Sequence, residues 1–136
     1  MMKKVLLLLE LVFIVVGCQS QPVTGETVIV EGGSYKSVSS SELNTMLANK
    51  DFVFINVHIP FAGNIAGTDL SIPYNQIEQN LSQLTADKAA KIVLYCRSGR
   101  MSQIAAEKLV TLGYTNVWDH KGGMVDWEQA GYTLEE

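Results

Sequence analysis

The sequence has no basic run and no stretch in which basic and aromatic residues interleave; 10 Lys and Arg stand against 14 Asp and Glu, for a formal charge of −4. A mildly acidic chain of this kind is a poor partner for nucleic acid, so its charge points to small molecules or proteins. An apolar run of membrane-spanning length is also missing. The one at the amino end, residues 5–16, falls short of the ~20 residues that a spanning helix needs, and Glu10 interrupts it. There is no internal repeat and no low-complexity tract. No metal or other cofactor is expected, because no group of His, Cys, Asp and Glu has credible ligand spacing; Asp119 beside His120 falls short of one. Cysteine is scarce, with Cys18 and Cys96 the two examples.

Residues 1–17 combine a basic start (Lys3, Lys4), the short apolar run, and then Val15-Val16-Gly17-Cys18. This resembles a bacterial lipoprotein signal, which implies removal of residues 1–17, lipidation of Cys18, and a chain anchored to a membrane of the cell envelope and facing the periplasm or the cell exterior. An ordinary cleaved secretory signal and an uncleaved anchor remain the alternatives. Removal takes away Lys3, Lys4 and Glu10, moves the formal charge from −4 to −5, and leaves a length suited to one globular domain. With Cys18 lipidated, Cys96 has no partner within the chain. A lone thiol in a compartment that favours disulfides is either a buried structural residue or a reactive one.

Residues 18–33 are small and polar and read as a flexible tether, within which 27–30 could form a short strand. The domain is expected over 34–136. Residues 35–38 alternate as an edge strand would, and Ser39-Ser40-Ser41-Glu42 has the capping-box pattern ahead of Leu43, Met46 and Leu47. Residues 52–57 are continuously apolar up to Asn56, as in a strand buried on both faces. A second helix is expected over 75–84, with Ile77, Leu81 and Leu84 on one face. A short strand over 116–120 and a last helix over 124–130, with Trp127 inward, complete the pattern. Alternating strands and helices argue for a parallel sheet covered on both sides. Trp118, Trp127 and the methionines are read as core packing.

The informative stretch is 91–113. Lys91-Ile92-Val93-Leu94-Tyr95 has strand character, and Met101, Ile104, Ala105, Leu109 and Leu112 form one helical stripe that Gly113 should end in a left-handed cap. Between them lies Cys96-Arg97-Ser98-Gly99-Arg100. A strand entering a helix through a tight loop aims backbone N–H groups and the positive end of the helix dipole at the loop's mouth. Here the occupant is the Cys96 sulfur, flanked by two arginines, and the stretch reads as a cradle for an anionic nucleophile.

The string Tyr95-Cys96-Arg97-Ser98-Gly99-Arg100 after a strand, the small-residue helix, Gly122-Gly123 and then Trp127 resemble the rhodanese-like family of sulfurtransferases over residues 35–133. The resemblance implies an α/β, three-layer fold with a five-stranded parallel sheet flanked by helices on both faces. It implies a catalytic Cys96 that takes a sulfane sulfur from a donor such as thiosulfate, holds it as a persulfide, and passes it to a thiol or cyanide acceptor. The loop from Arg97 through Ser98, Gly99 and Arg100 to Met101 would bind the donor, and a thiol-redox protein would keep the sulfur reduced. The chain departs from the family pattern at Asn56, usually aspartate, at His58, usually arginine, and at Met101, where many members have arginine. A Cys–His dyad with His58 or His120 is disfavoured, since a histidine at a strand end is more often structural. Related phosphatases have a longer loop with arginine at the position of Ser102, which argues against that chemistry. A non-enzymatic reading, a membrane-tethered persulfide carrier or interaction module, is not separated from an enzyme by the loop sequence.

Overall fold

The computed structural model describes residues 12–19 and 21–136. Residues 1–11 of the expected signal lie outside the described residues. Six strands, β1 Glu26–Val30, β2 Gly33–Val38, β3 Val53–Asn56, β4 Leu70–Ser71, β5 Ile92–Tyr95 and β6 Val117–His120, form one sheet in the order β1-β2-β6-β5-β3-β4. All pairs are parallel except the β1–β2 hairpin. Among the described residues the α-helices are α1 Ser40–Ala48, α2 Arg100–Thr111 and α3 Gly123–Gln129.

Burial explains the order. β5 and β6 are buried at every position and sit in the middle of the sheet, as the apolar run of β5 requires; β6 is buried there although it carries Asp119 and His120. On one face Ile55, Leu94, Cys96 and Val117 pack against Ala105, Leu109 and Val110 of α2. On the other, Phe54, Val93, Tyr95 and Trp118 pack with Leu43 of α1 and with Met124 and Trp127 of α3. The three-layer expectation holds, and both tryptophans and Met124 are core residues. α1 begins with the reciprocal cap that its sequence predicts: the Glu42 amide donates to the Ser39 hydroxyl and the Ser39 amide to the Glu42 carboxylate. At the end of α2, Gly113 takes φ +92° while its amide and that of Tyr114 donate to the Val110 and Leu109 carbonyls.

Four details differ from expectation. The sheet has a sixth strand: β1 pairs antiparallel with β2, and Val28 and Val30 pack on the core, so residues 26–30 belong to the folded domain and not to a flexible segment over 18–33. The β-branched run Thr27-Val28-Ile29-Val30 outweighs the flanking glycines, and Gly32, at φ +87°, turns the chain back. β2 is consequently an inner strand. Over 75–84 there is no α-helix but two 3-10 turns, Tyr74–Gln76 and Glu78–Gln83; Asn80 leaves helical geometry and its side-chain amide donates to the Gln76 carbonyl, the competition that short amide side chains offer a backbone ladder. Finally, α2 is rotated from the expected stripe. Ser102 and Ala106 face inward and Ile104 is exposed.

Candidate active site

Cys96 is the first residue past β5 and is 1% exposed. The loop folds over it because Gly99 adopts φ +102°, a conformation that disfavours any side chain, and because nothing but hydrogen fits there: a Cβ would lie 2.0 Å from the Lys121 carbonyl oxygen. In this conformation the Gly99 amide donates to Cys96 Sγ at 3.0 Å. The Ser102 hydroxyl lies 3.5 Å from the same sulfur and donates to the Gly99 carbonyl at 3.1 Å. Gly99 occupies the N-cap position of α2 without a side-chain cap, so the first-turn N–H groups of that helix are left directed at the loop's mouth. Arg97, Ser98 and Arg100 form an exposed rim, and Met101 is half-buried. No ion pair among the described residues engages either arginine. Their charge is therefore directed at solvent and at whatever approaches the sulfur.

The loop is held from behind by α3. The Met124 amide donates to the Cys96 carbonyl at 2.9 Å and the Val125 amide to the Arg97 carbonyl at 3.0 Å. Gly123 makes this approach possible at φ +61°, where a Cβ would meet the Cys96 carbonyl oxygen at 2.5 Å. The Gly-Gly pair thus lets the start of one helix grip the nucleophile loop.

The substitution of asparagine for the usual aspartate leaves the neighbouring loop well braced. Asn56 donates from Nδ2 to the Gly63 carbonyl at 3.0 Å and to Asn64 Oδ1 at 2.9 Å, while its own Oδ1 accepts the His58 amide at 3.0 Å. Two of these bonds are donations from the amide NH2, which an ionised carboxylate could not make; only the bond from the His58 amide is one that either side chain accepts. Tyr95 reaches the same loop through its hydroxyl, which accepts the Ile65 amide at 3.0 Å.

Neither histidine is hydrogen-bonded to the sulfur. His58 sits near Arg97, and partial burial followed by that charge lowers its pKa. His120 lies on the opposite face of the sheet, with Nε2 2.8 Å from the Ser40 hydroxyl and Trp127 edge-on to its ring.

Two polar residues on the Cys96 side of the sheet were named in the sequence but not assigned to the site. Ser102 is fully buried, and Asp119, opposite Leu94 on β6, is 3% exposed with no partner for Oδ1. Burial pushes Asp119 up to about 7 against the moderating hydrogen bond from Ser102, and burial pushes His120 down to about 4, with Asp126 opposing. The two shifts have opposite linkage signs. An acid whose folded pKa is raised stabilises the fold below its unfolded value and loses that contribution as pH rises from about 4 to about 7. A histidine whose folded pKa is lowered contributes above about 6.5 and loses that contribution as pH falls to about 4. The pair should keep stability nearly level over this window. Denaturant melts of His120→Asn are expected to show stability falling by on the order of 3 kcal/mol from pH 4 to 7, and those of Asp119→Asn to show it rising by a similar amount. Parallel curves for the two variants would contradict the assignment.

The cavity lined by Phe61, Gly63, Glu128, Tyr132 and Leu134 contains no residue of the Cys96 loop. Comparison with known proteins agrees with this geometry. Residues 40–130 match the model of the rhodanese-like domain. A sulfurtransferase of Allochromatium vinosum is 29% identical over 100 residues, covering 71% of this chain and 92% of that one. A tRNA uridine(34) hydroxylase of Erwinia tasmaniensis is 29% identical over 101 residues, 70% of this chain but 28% of the hydroxylase. Among solved structures, a rhodanese-related protein from Thermoplasma volcanium is 29% identical and superimposes with a TM-score of 0.63 over 74% of this chain and 97% of its own. With the family model matched from α1 to the end of α3, and a cysteine cradled between β5 and α2, the chain belongs to the rhodanese-like domain family of sulfurtransferases.

Proposed function

We propose that this protein transfers sulfane sulfur through a persulfide on Cys96, working from a lipid anchor at Cys18 on a bacterial envelope membrane, toward the periplasm or cell exterior. The observation that carries the reading is the Gly99 amide 3.0 Å from a sulfur at the uncapped start of α2. The Cys96 thiolate attacks the outer sulfur of a thiosulfate-class donor; a Cys–S bond to that atom forms, the donor's S–S bond breaks, and sulfite leaves with the bonding pair. A thiolate or cyanide then attacks the outer persulfide sulfur, and Cys96 departs again as thiolate. The Gly99 amide and the α2 amides offset the negative charge on sulfur at both stages, while Arg97 and Arg100 draw the anionic donor to the rim.

Intact-mass analysis of the native protein tests the whole reading: one added sulfur atom on Cys96 and fatty acyl groups on Cys18 are expected, and an unmodified Cys96 after thiosulfate treatment would refute the transfer step. Arg100→Ala should raise the thiosulfate KM about threefold to fivefold, with little change in kcat, because one screened rim charge is removed. An unchanged KM would place the guanidinium away from the donor's path. A second reading, a persulfide carrier without efficient turnover, draws support from the 1% exposure of Cys96, which restricts acceptors. Steady-state assays with thiosulfate and cyanide separate the two, since a carrier loads once and stops.

A further inference from the structure

The chain between Cys18 and β1 is short, and much of it lies on the domain. Val23 packs against the core on the α1 side of the sheet, and Gly25 is so close to Trp118 that an added Cβ would sit 3.0 Å from the indole ring. Gln21 and Pro22 run beside Asn49, which caps the end of α1, and beside Asp51 and Lys91, which stand just ahead of β3 and β5. Proline fixes its own φ and holds the residue before it extended, so Gln21-Pro22 adds little slack. Between a lipidated Cys18 and Gln21 there are three residue steps, a reach of at most ~11 Å. Lys91 and Cys96 stand at opposite ends of β5. Five residue steps at ~3.3 Å each separate them by about 16 Å, and Arg97, Ser98 and Arg100 form the rim beyond the sulfur. With the Cys96 mouth turned toward a bilayer, Gln21 would stand about 16 Å or more from the headgroups, beyond the reach of the link.

We infer that the Cys18 anchor seats the end of the sheet where β2, β3, β5 and β6 begin on the bilayer surface and holds the Cys96 mouth toward water, so that sulfur is exchanged with donors and acceptors in solution and not with ones embedded in the membrane. Chain length sets this seat, not charge. At the seated end Lys50 pairs with Asp69 at 2.6 Å, Lys91 pairs with Asp51 at 3.2 Å, and Lys88 donates to the Leu112 carbonyl at 2.8 Å. These lysines do not make the kind of basic patch that anionic headgroups attract, and the same orientation is expected on neutral and on anionic lipid.

The inference rests on the lipid anchor proposed above, and the test lets the two fail separately. The full chain is expressed in a bacterium, and its lipidated form is incorporated into phosphatidylcholine vesicles that carry nickel-chelating lipid. A nitroxide is attached to Ala89→Cys at the seated end or to Ser98→Cys at the rim, each in a Cys96→Ser background; both positions are exposed, and an acylated Cys18 has no thiol to label. Nickel at the membrane surface should enhance the spin relaxation of the label at position 89 severalfold more than that at position 98, with or without anionic lipid. Equal enhancement, or a stronger effect at position 98, would overturn the orientation. Inserting about twelve Gly and Ser residues after Gln19 adds roughly 19 Å of root-mean-square reach and should bring the two labels close to equality; an undiminished difference would overturn link length as its cause. Should Cys96→Ser fail to fold, Cys96→Ala serves as the background for the same comparison. Protein recovered without acyl groups on Cys18, and therefore left in solution, would remove the anchor itself and this inference with it.

Discussion

Replacing Cys96 with serine is expected to abolish sulfur transfer, with no turnover measurable in a thiosulfate–cyanide assay, and to leave the melting temperature within a few degrees of wild type. The two halves of this expectation have separate causes. An alcohol is barely ionised at neutral pH and forms no S–S bond, so neither the attack nor the persulfide survives the exchange. The fold, by contrast, loses little. The serine oxygen is smaller than sulfur but accepts the Gly99 amide as sulfur does, and the loop's attachments run through the Cys96 and Arg97 carbonyls, not through the side chain. A near-isosteric exchange of this type costs about 1 kcal/mol, a few degrees for a domain of this size. Retained transfer in Cys96→Ser would show that the sulfur acts at another atom.

A comparably large effect is expected from Gly99→Ala. At φ +102° with the Lys121 carbonyl oxygen 2.0 Å from the added carbon, the methyl has no place to go, and backbone on both sides of the contact must move. The combined strain and overpacking should cost about 2–4 kcal/mol. Transfer should fall by at least about 100-fold, because the loop that aims the Gly99 amide is the part displaced and a shift of about 1 Å is enough for that loss. Gly131→Ala is the matched control. Gly131 has a similar φ of +93°, yet an added carbon there meets nothing within 4 Å, so the variant should lose about 1–2 kcal/mol of stability and retain transfer. If Gly99→Ala behaved like Gly131→Ala under calorimetry and assay, the contact with Lys121 would not be restraining the loop.

How far the sequence foretold this architecture depends on how each feature is encoded. Residues 91–113 were legible because a strand buried on both faces must be continuously apolar, and because Gly99 and Gly113 sit where backbone geometry alone asks for glycine. The Ser39–Glu42 cap was legible for the same reason: its signal is local. β4, with two residues, is too short to carry any periodicity. β1 was obscured by the glycines and serine around it, and its pairing with β2 supplies the order that its composition lacks. The site was harder. Ser102 within a helix and Asp119 beside a histidine look like solvent-facing residues in one dimension, and both become buried through the rotation of α2 about its axis and the central place of β6. Asn56 was recognisable as a departure from the family pattern, but its three hydrogen bonds depend on a loop path that a list of residues does not contain.

The grip of α3 on the loop also bears on the order of synthesis. A nascent chain that has reached Leu112 already contains the thiol, the strand beneath it and the helix beyond, but the amides of Met124 and Val125 that fasten the Cys96 and Arg97 carbonyls have yet to be made. Synthesis proceeds at about 5–20 residues per second, so the thiol spends on the order of a second in an unlatched loop before its geometry is complete. Reactivity at Cys96 therefore waits on synthesis through Val125, and a polypeptide released before that point would carry the cysteine without the chemistry.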